Sequence, residues 1–130
     1  MVIDTSAILA IIYGEPEELI FIELINESEE CLLSSPSSVE ASIVLGTKHG
    51  EKGVENLKLL IETLSITIVP FTIEQAQLAS EGFLKFGKGR HPAKLNMGDC
   101  FSYALAKFTN QPLLFKGNDF IHTDVEQVKY

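Results

Sequence analysis

Apolar positions along this chain switch between short continuous blocks and runs spaced at three and four residues, the change of period expected where strands give way to amphipathic helices. Residues 1–3 read as a brief buried strand. The run AILAIIY that follows predicts a helix over 6–13, with Asp4, Thr5 and Ser6, all good capping types, at its N-terminus. Gly14 and Pro16 interrupt it, and Glu17-Glu18 open a second helix through LIFIELINESE with acids suited to the dipole. CLLSS reads as a strand. In SSPSSVEASIVLGTKHG, Ser34 and Ser35 are capping types and Pro36 fits a first turn, so a helix runs to Gly46 or Gly50 with Glu40 in its second turn. EKGVENLKLLIETLS, apolar at Val54, Leu57, Leu60, Ile61 and Leu64, makes the other arm of a helical hairpin.

The second half repeats the alternation. SITIVPF is β-branched and strand-like, and Thr72 caps a helix across IEQAQLASEGFLKF, ahead of a basic loop, GKGRHPAK. Asn96 is placed to cap LNMGDCFSYALAKFTNQP, in which Phe101, Leu105 and Phe108 share one stripe and Asp99, Tyr103 and Ala106 another. PLLFK is a strand closed by the turn GNDF, and TDVEQVKY reads as a last strand or a frayed helix. Strands alternating with helices predict an α/β fold with a small, mainly parallel sheet and crossover connections.

Composition narrows the function classes. The 130 residues suit a single domain, 1–130, without a low-complexity tract, internal repeat or linker. The start of the chain lacks a basic segment before its apolar run, and no uncharged stretch approaches the roughly 20 residues that span a bilayer, so a cytoplasmic protein with no membrane partner is expected. Cys31 and Cys100 lack metal-ligand spacing and read as small buried hydrophobes. A net charge of −8 excludes passive, charge-driven binding to nucleic acid. The basic residues are nonetheless uneven: Lys85, Lys88, Arg90, His91 and Lys94 form one group, and Lys48, His49 and Lys52 another, each read first as solvated surface charge.

The acids carry the candidate chemistry. Of the four aspartates, Asp4 follows the first strand, Asp119 follows the late PLLF strand and Asp99 opens a helix. In an open α/β sheet, ligands bind in the crevice beyond the carboxyl ends of the strands, which gathers these acids if the strands are neighbours. Each has an ordinary alternative: Asp4 as a cap, Asp99 in a first turn, Asp119 in a turn and Glu40 facing solvent. Clustered carboxylates repel one another and are stable together around a cation. An all-oxygen set suits Mg²⁺ or Mn²⁺, whereas zinc would want His or Cys, and His49, His91 and His122 are scattered. Two such ions would cancel the formal charge of Asp4, Glu40, Asp99 and Asp119 and admit phosphate.

VIDTSA, LNMGDCFSYALA and LLFKGNDFIHTD, in this order and with SVEASIVL between the first two, resemble the PIN-domain ribonucleases, specifically the VapC-type toxins of toxin–antitoxin pairs. The resemblance runs from Val2 to about Asp124. It implies a PIN-like α/β/α sandwich and a Mg²⁺- or Mn²⁺-dependent endoribonuclease that cleaves RNA phosphodiester bonds with a metal-activated water. It further implies that Asp4 and Asp99 bind the metal directly, that Glu40 and Asp119 complete the acidic pocket, and that Thr5 or Ser6 orients the first carboxylate. Asp119 ranks ahead of Asp124 and Asn118 as the late acid, and Asp124 reads as a structural cap.

No protein nucleophile is needed, in keeping with a chain that lacks a Walker loop, a G-x-S-x-G elbow or a Cys/His pair at plausible spacing. The helix ELIFIELI is apolar more widely than one core requires, so part of it is expected to face an antitoxin segment or a second copy in a homodimer. The basic loop GKGRHPAK is the candidate for holding the RNA backbone, with Phe83 and Phe86 read as core. Two other readings are weaker. An aspartyl-phosphate domain would want Asp-x-Asp, or an acidic pair ahead of Asp4, and a non-catalytic PIN-like interaction module would not need all four acids.

Overall fold

The computed structural model describes residues 1–130. Its strands are β1 (Val2–Ile3), β2 (Leu32–Ser34), β3 (Thr67–Val69) and β4 (Leu113–Leu114), and its helices are α1 (Thr5–Ile12), α2 (Glu18–Glu27), α3 (Ser35–Thr63), α4 (Ile73–Phe86) and α5 (Met97–Thr109). The strands form one wholly parallel sheet in the order β3-β2-β1-β4, with Val2 opposite both Leu32 and Leu113, and Leu33 opposite Ile68.

Three pairs of adjacent apolar residues decide the layering. Successive strand residues point to opposite faces. Val2, Leu32 and Leu113 therefore enter a core with Leu95, Ala104 and Leu105, on the side of α4 and α5. Ile3, Leu33 and Leu114 enter a second core with Ile8, Phe21, Ile25 and Leu45, on the side of α1, α2 and α3. Burial on both faces is the usual condition of a parallel sheet, and it explains why these strands read as continuous apolar blocks. No helix is long and apolar enough to cross a membrane.

The predicted helical hairpin is present as two arms of α3 meeting at Gly50, whose φ of 62° and ψ of −151° fall in a region essentially reserved for glycine. The second arm folds back closely: a Cβ on buried Gly53 would stand 2.5 Å from the Leu45 carbonyl oxygen. Asp4, Thr72 and Asn96 cap their helices as expected. Ser34 occupies the N-cap position of α3 but its buried hydroxyl makes no capping bond, because it points to the sheet face it shares with Leu32.

The C-terminal segment is neither strand nor helix. It makes one parallel bridge, Gln127 to Leu113, and then lays the Tyr130 ring edge-on against Phe21, 4.8 Å between centroids, with its hydroxyl donating to the Phe115 carbonyl at 3.0 Å. Of α2, Phe21 and Ile25 are buried and Ile20, Ile22 and Leu24 pack partly onto the same core, leaving Leu19 as its large exposed apolar side chain. The wide apolar face of this helix is thus mostly used within the chain. Cys31 and Cys100 are buried and free.

Candidate active site

The sheet order sends the chain from β1 towards β2 on one side, while β4 lies on the other, so the crevice opens between the carboxyl ends of β1 and β4. Asp4 is the first residue beyond β1, and its amide donates to the Leu114 carbonyl at 2.9 Å. The side chain is 5% exposed and accepts three hydrogen bonds. Oδ2 takes one from the Ser6 amide at 2.9 Å and one from the Ser6 hydroxyl at 2.6 Å, and Oδ1 takes one from the Ser102 hydroxyl at 2.6 Å. A carboxylate offers about four acceptor sites, so the remaining one is on Oδ1. Ser6 in turn accepts from the Lys116 amide at 3.0 Å, tying Asp4 to the end of β4.

Asp99 sits at N3 of α5 in a reciprocal capping box: Asn96 Oδ1 accepts from the Asp99 amide, and Asp99 Oδ2 accepts from the Asn96 amide, each at 2.9 Å. The other oxygen, Oδ1, makes no protein hydrogen bond. Burial pushes the Asp99 carboxyl up to about 7, against the opposing bond from Asn96, and repulsion from Asp4, Asp119 and Glu40 adds to it. Glu40 in α3 is also raised, by burial first, with a hydrogen bond from Thr5 opposing and the charge of Asp4 reinforcing. Asp119, exposed on the turn after β4, is raised by partial burial and by Asp4. Asp4, Glu40 and Asp119, from three other segments, thus each act on Asp99 by charge. Lys116, just beyond β4, pairs its ammonium with Glu15 and Glu17.

The donor set is carboxylate oxygen throughout, which matches a hard divalent cation. No three Asp, Glu, His or Cys side chains are already drawn into one coordination sphere.

Of the two hydroxyls expected to orient the first carboxylate, Ser6 bonds Asp4, and the Thr5 hydroxyl donates to the Ser37 carbonyl at 3.3 Å. Other roles differ from the expectation. Asp124 is not a cap: its Oδ1 accepts from the Tyr103 hydroxyl at 2.9 Å and its Oδ2 from Lys107 Nζ at 3.1 Å, which pins the tail to α5. Asn118 is exposed. Phe86 packs between His91 and Tyr103, as a core residue should, but Phe83 is exposed with Arg90 over its ring at 6.0 Å. The basic loop folds back on α4 through Leu95 N to Phe86 O, 3.0 Å, and leads directly into the Asn96 cap beside Asp99.

Ser102 escaped the sequence reading because a hydroxyl in the middle of a helix carries no boundary signal. Its spacing of three from Asp99 is the trace that could have found it, since it puts both on one face of α5. Ser102 is completely buried and also lies 3.4 Å from the Ser37 hydroxyl.

The comparisons with known proteins converge on one group. The PIN domain model matches residues 1–126. The chain is 43% identical over 98% of both lengths to VapC ribonuclease Mb0640 of Mycobacterium bovis, and 44% identical to Ribonuclease VapC of Mycolicibacterium smegmatis over 98% of this chain and 99% of the relative. Among solved structures, VapC20 of Mycobacterium tuberculosis, described as a Sarcin-Ricin loop cleaving toxin, superposes with a TM-score of 0.77 at 14% identity, covering 99% of this chain and 98% of that one. VapBC2 of Rickettsia felis, bound to a DNA fragment from its promoter, gives 0.78 at 15%, with 98% and 96% covered. With near-complete sequence coverage above 40% identity and the same fold in solved relatives, the chain belongs to the PIN-domain family, in its VapC group.

Proposed function

We propose that this chain is a Mg²⁺- or Mn²⁺-dependent endoribonuclease, the toxin half of a toxin–antitoxin pair, acting as a single PIN domain, 1–130, in the cytoplasm. The observation that carries the reading is the gathering of Asp4, Glu40, Asp99 and Asp119 at the β1/β4 crevice with their repulsion uncompensated by any bound lysine or arginine. Such a group is costly to hold and has a use when a cation occupies it. Asp4 Oδ1, with one acceptor site left beside the Ser102 bond, and Asp99 Oδ1, without a protein hydrogen bond, would bind the ion directly, and Glu40 and Asp119 would complete the set. A divalent ion there would supply charge for the developing phosphorane and a more acidic water for in-line attack. Ser6 and Ser102 hold Asp4 in one orientation, and the capping box holds Asp99 at the head of α5. The basic loop 87–94 meets the RNA backbone beside the pocket, offsetting the net charge of −8 where the substrate enters.

Partners follow from surfaces. The relatives include a structure described as a toxin–antitoxin complex from Klebsiella pneumoniae, which supports an antitoxin partner here. The exposed apolar strip of Val39, Ile43 and Met97, lining one cleft with Phe101 and Gly98, is better suited to a second copy of the chain than the largely covered α2. The function is tested by incubating the purified protein with total RNA and Mg²⁺ or Mn²⁺, with and without chelator, beside Asp4→Asn and Asp99→Asn. Cleavage that needs the metal and is lost in both variants is expected; cleavage surviving either substitution overturns the reading.

A further inference from the structure

Gly98 precedes Asp99 in the first turn of α5, a place where helix propensity favours almost any other residue. Its backbone does not have a positive φ, so the conformational freedom of glycine is not what the position uses. The space is. A Cβ built on Gly98 would fall on Oε2 of Glu40, 2.9 Å from its Cδ and 3.2 Å from Oε1. The Glu40 carboxylate therefore occupies the volume that any side chain at position 98 would take. The three nearest atoms it would meet all belong to the far end of this flexible side chain, so an added methyl is expected to move Glu40 before it moves the helices.

We infer that Gly98 is a positioning residue: its missing side chain is the seat that holds the α3 carboxylate of Glu40 beside the acids of β1 and α5. This rests on the acidic pocket being the active site, and deepens it. Thr5 of α1 holds Glu40 from one side, and no hydrogen bond from α5 holds it from the other, so on that side packing against the bare backbone of Gly98 sets its place. The consequence is a separation of stability from activity. Ala is the better helix former by up to about 1 kcal/mol, so Gly98→Ala is expected to melt no lower than the parent chain. Moving Glu40 by about 1 Å or more is expected to reduce cleavage about 100-fold.

The test uses Gly98→Ala, Glu40→Asp, the double variant Gly98→Ala/Glu40→Asp, and Asp99→Asn, each measured for RNA cleavage with Mn²⁺, Mn²⁺ affinity by calorimetry, and thermal midpoint. Gly98→Ala should keep its midpoint and lose both cleavage and Mn²⁺ affinity. Shortening Glu40 by one methylene withdraws the carboxylate from the seat, so Gly98→Ala should cost Glu40→Asp nothing more, and the double variant should match Glu40→Asp within about twofold. Full activity and affinity in Gly98→Ala, with Asp99→Asn inactive, overturns the role of Gly98 while leaving the site intact. A lowered midpoint in Gly98→Ala, or losses that multiply in the double variant, overturns it too, because the glycine would then serve the fold or act apart from Glu40. Active Asp99→Asn overturns the site itself.

Discussion

Two aspartates lie against α5 and are treated oppositely by the fold. Asp124 comes in from the C-terminal segment and is met by Tyr103 and Lys107. Burial disfavours its charge, but these hydrogen bonds outweigh the burial and hold its carboxyl below the ordinary range. Asp99, one turn before Tyr103 and two before Lys107, has a single backbone donor and three other carboxylates, and burial raises it to about 7. The same side chain is a fastening in one place and an unpaired acceptor in the other. The difference lies in the partners supplied: a structural carboxylate arrives with its donors, whereas a site carboxylate is left with lone pairs for something not in the chain. The two residues should therefore separate cleanly in activity and in stability.

The largest effect is expected at the acids themselves. Asp99→Asn and Asp4→Asn should each reduce metal-dependent RNA cleavage by at least about 10³-fold, since each removes charge and a free oxygen where the ion binds. The measurement is initial rate at saturating Mn²⁺. A loss below tenfold would place Asp99 on the same footing as Asp124.

Next comes linkage to pH. With an ordinary value of 3.8 and a folded value near 7, Asp99 holds a proton in the fold that the unfolded chain has released between those limits. Its contribution to the stability of the metal-free protein therefore falls as pH rises from about 4 to about 7. The slope is at most about 1.4 kcal/mol per unit, and less because the group is partly exposed. Asp99→Asn should flatten this slope. Binding of Mn²⁺ requires the ionised form, so the ion should raise the thermal midpoint more at pH 8 than at pH 5. Equal shifts at the two values would break the contrast.

A smaller loss is expected at Ser102. Ser102→Ala removes the one donor to Asp4 Oδ1 and leaves that carboxylate held by Ser6 alone. Residues that orient a ligand are worth about 10- to 100-fold in metal affinity. Ser102→Thr, which keeps the hydroxyl, should recover part of it, whereas a purely packing role would be served as well by Ala.

What was legible in the sequence divides along the same line. Asp4, Asp99 and Asp119 stand at element boundaries, where turn and cap chemistry announces them, and paired apolar blocks announce a parallel sheet. Ser102 and Gly98 stand inside or at the head of α5, where neither hydroxyl nor glycine breaks a pattern; their meaning comes from β1 and α3 arriving against that helix. The fate of Asp124 was likewise non-local, since Tyr103 and Lys107 become its donors only because the tail crosses α5. The face of α2 looked unpartnered for the same reason: the tail brings Tyr130 onto Phe21.

The smallest effect belongs to Asp124 and completes the comparison. Asp124→Asn keeps the shape of the side chain and an acceptor for the Tyr103 hydroxyl, so only the charge is lost. The Lys107 pair is substantially exposed on both sides, and such pairs contribute about 0–1 kcal/mol. Tyr103→Phe goes further. It removes a hydrogen bond to a carboxylate that water still reaches and should cost about 1 kcal/mol, lowering the thermal midpoint by about 4 °C in a chain of this size. Neither change touches Asp4, Glu40, Asp99 or Asp119, so cleavage below the melting transition should stay within about twofold of the parent. A tenfold fall in rate at unchanged stability, in either variant, would show that the fastening at the far end of α5 also sets the position of Asp99 at its head.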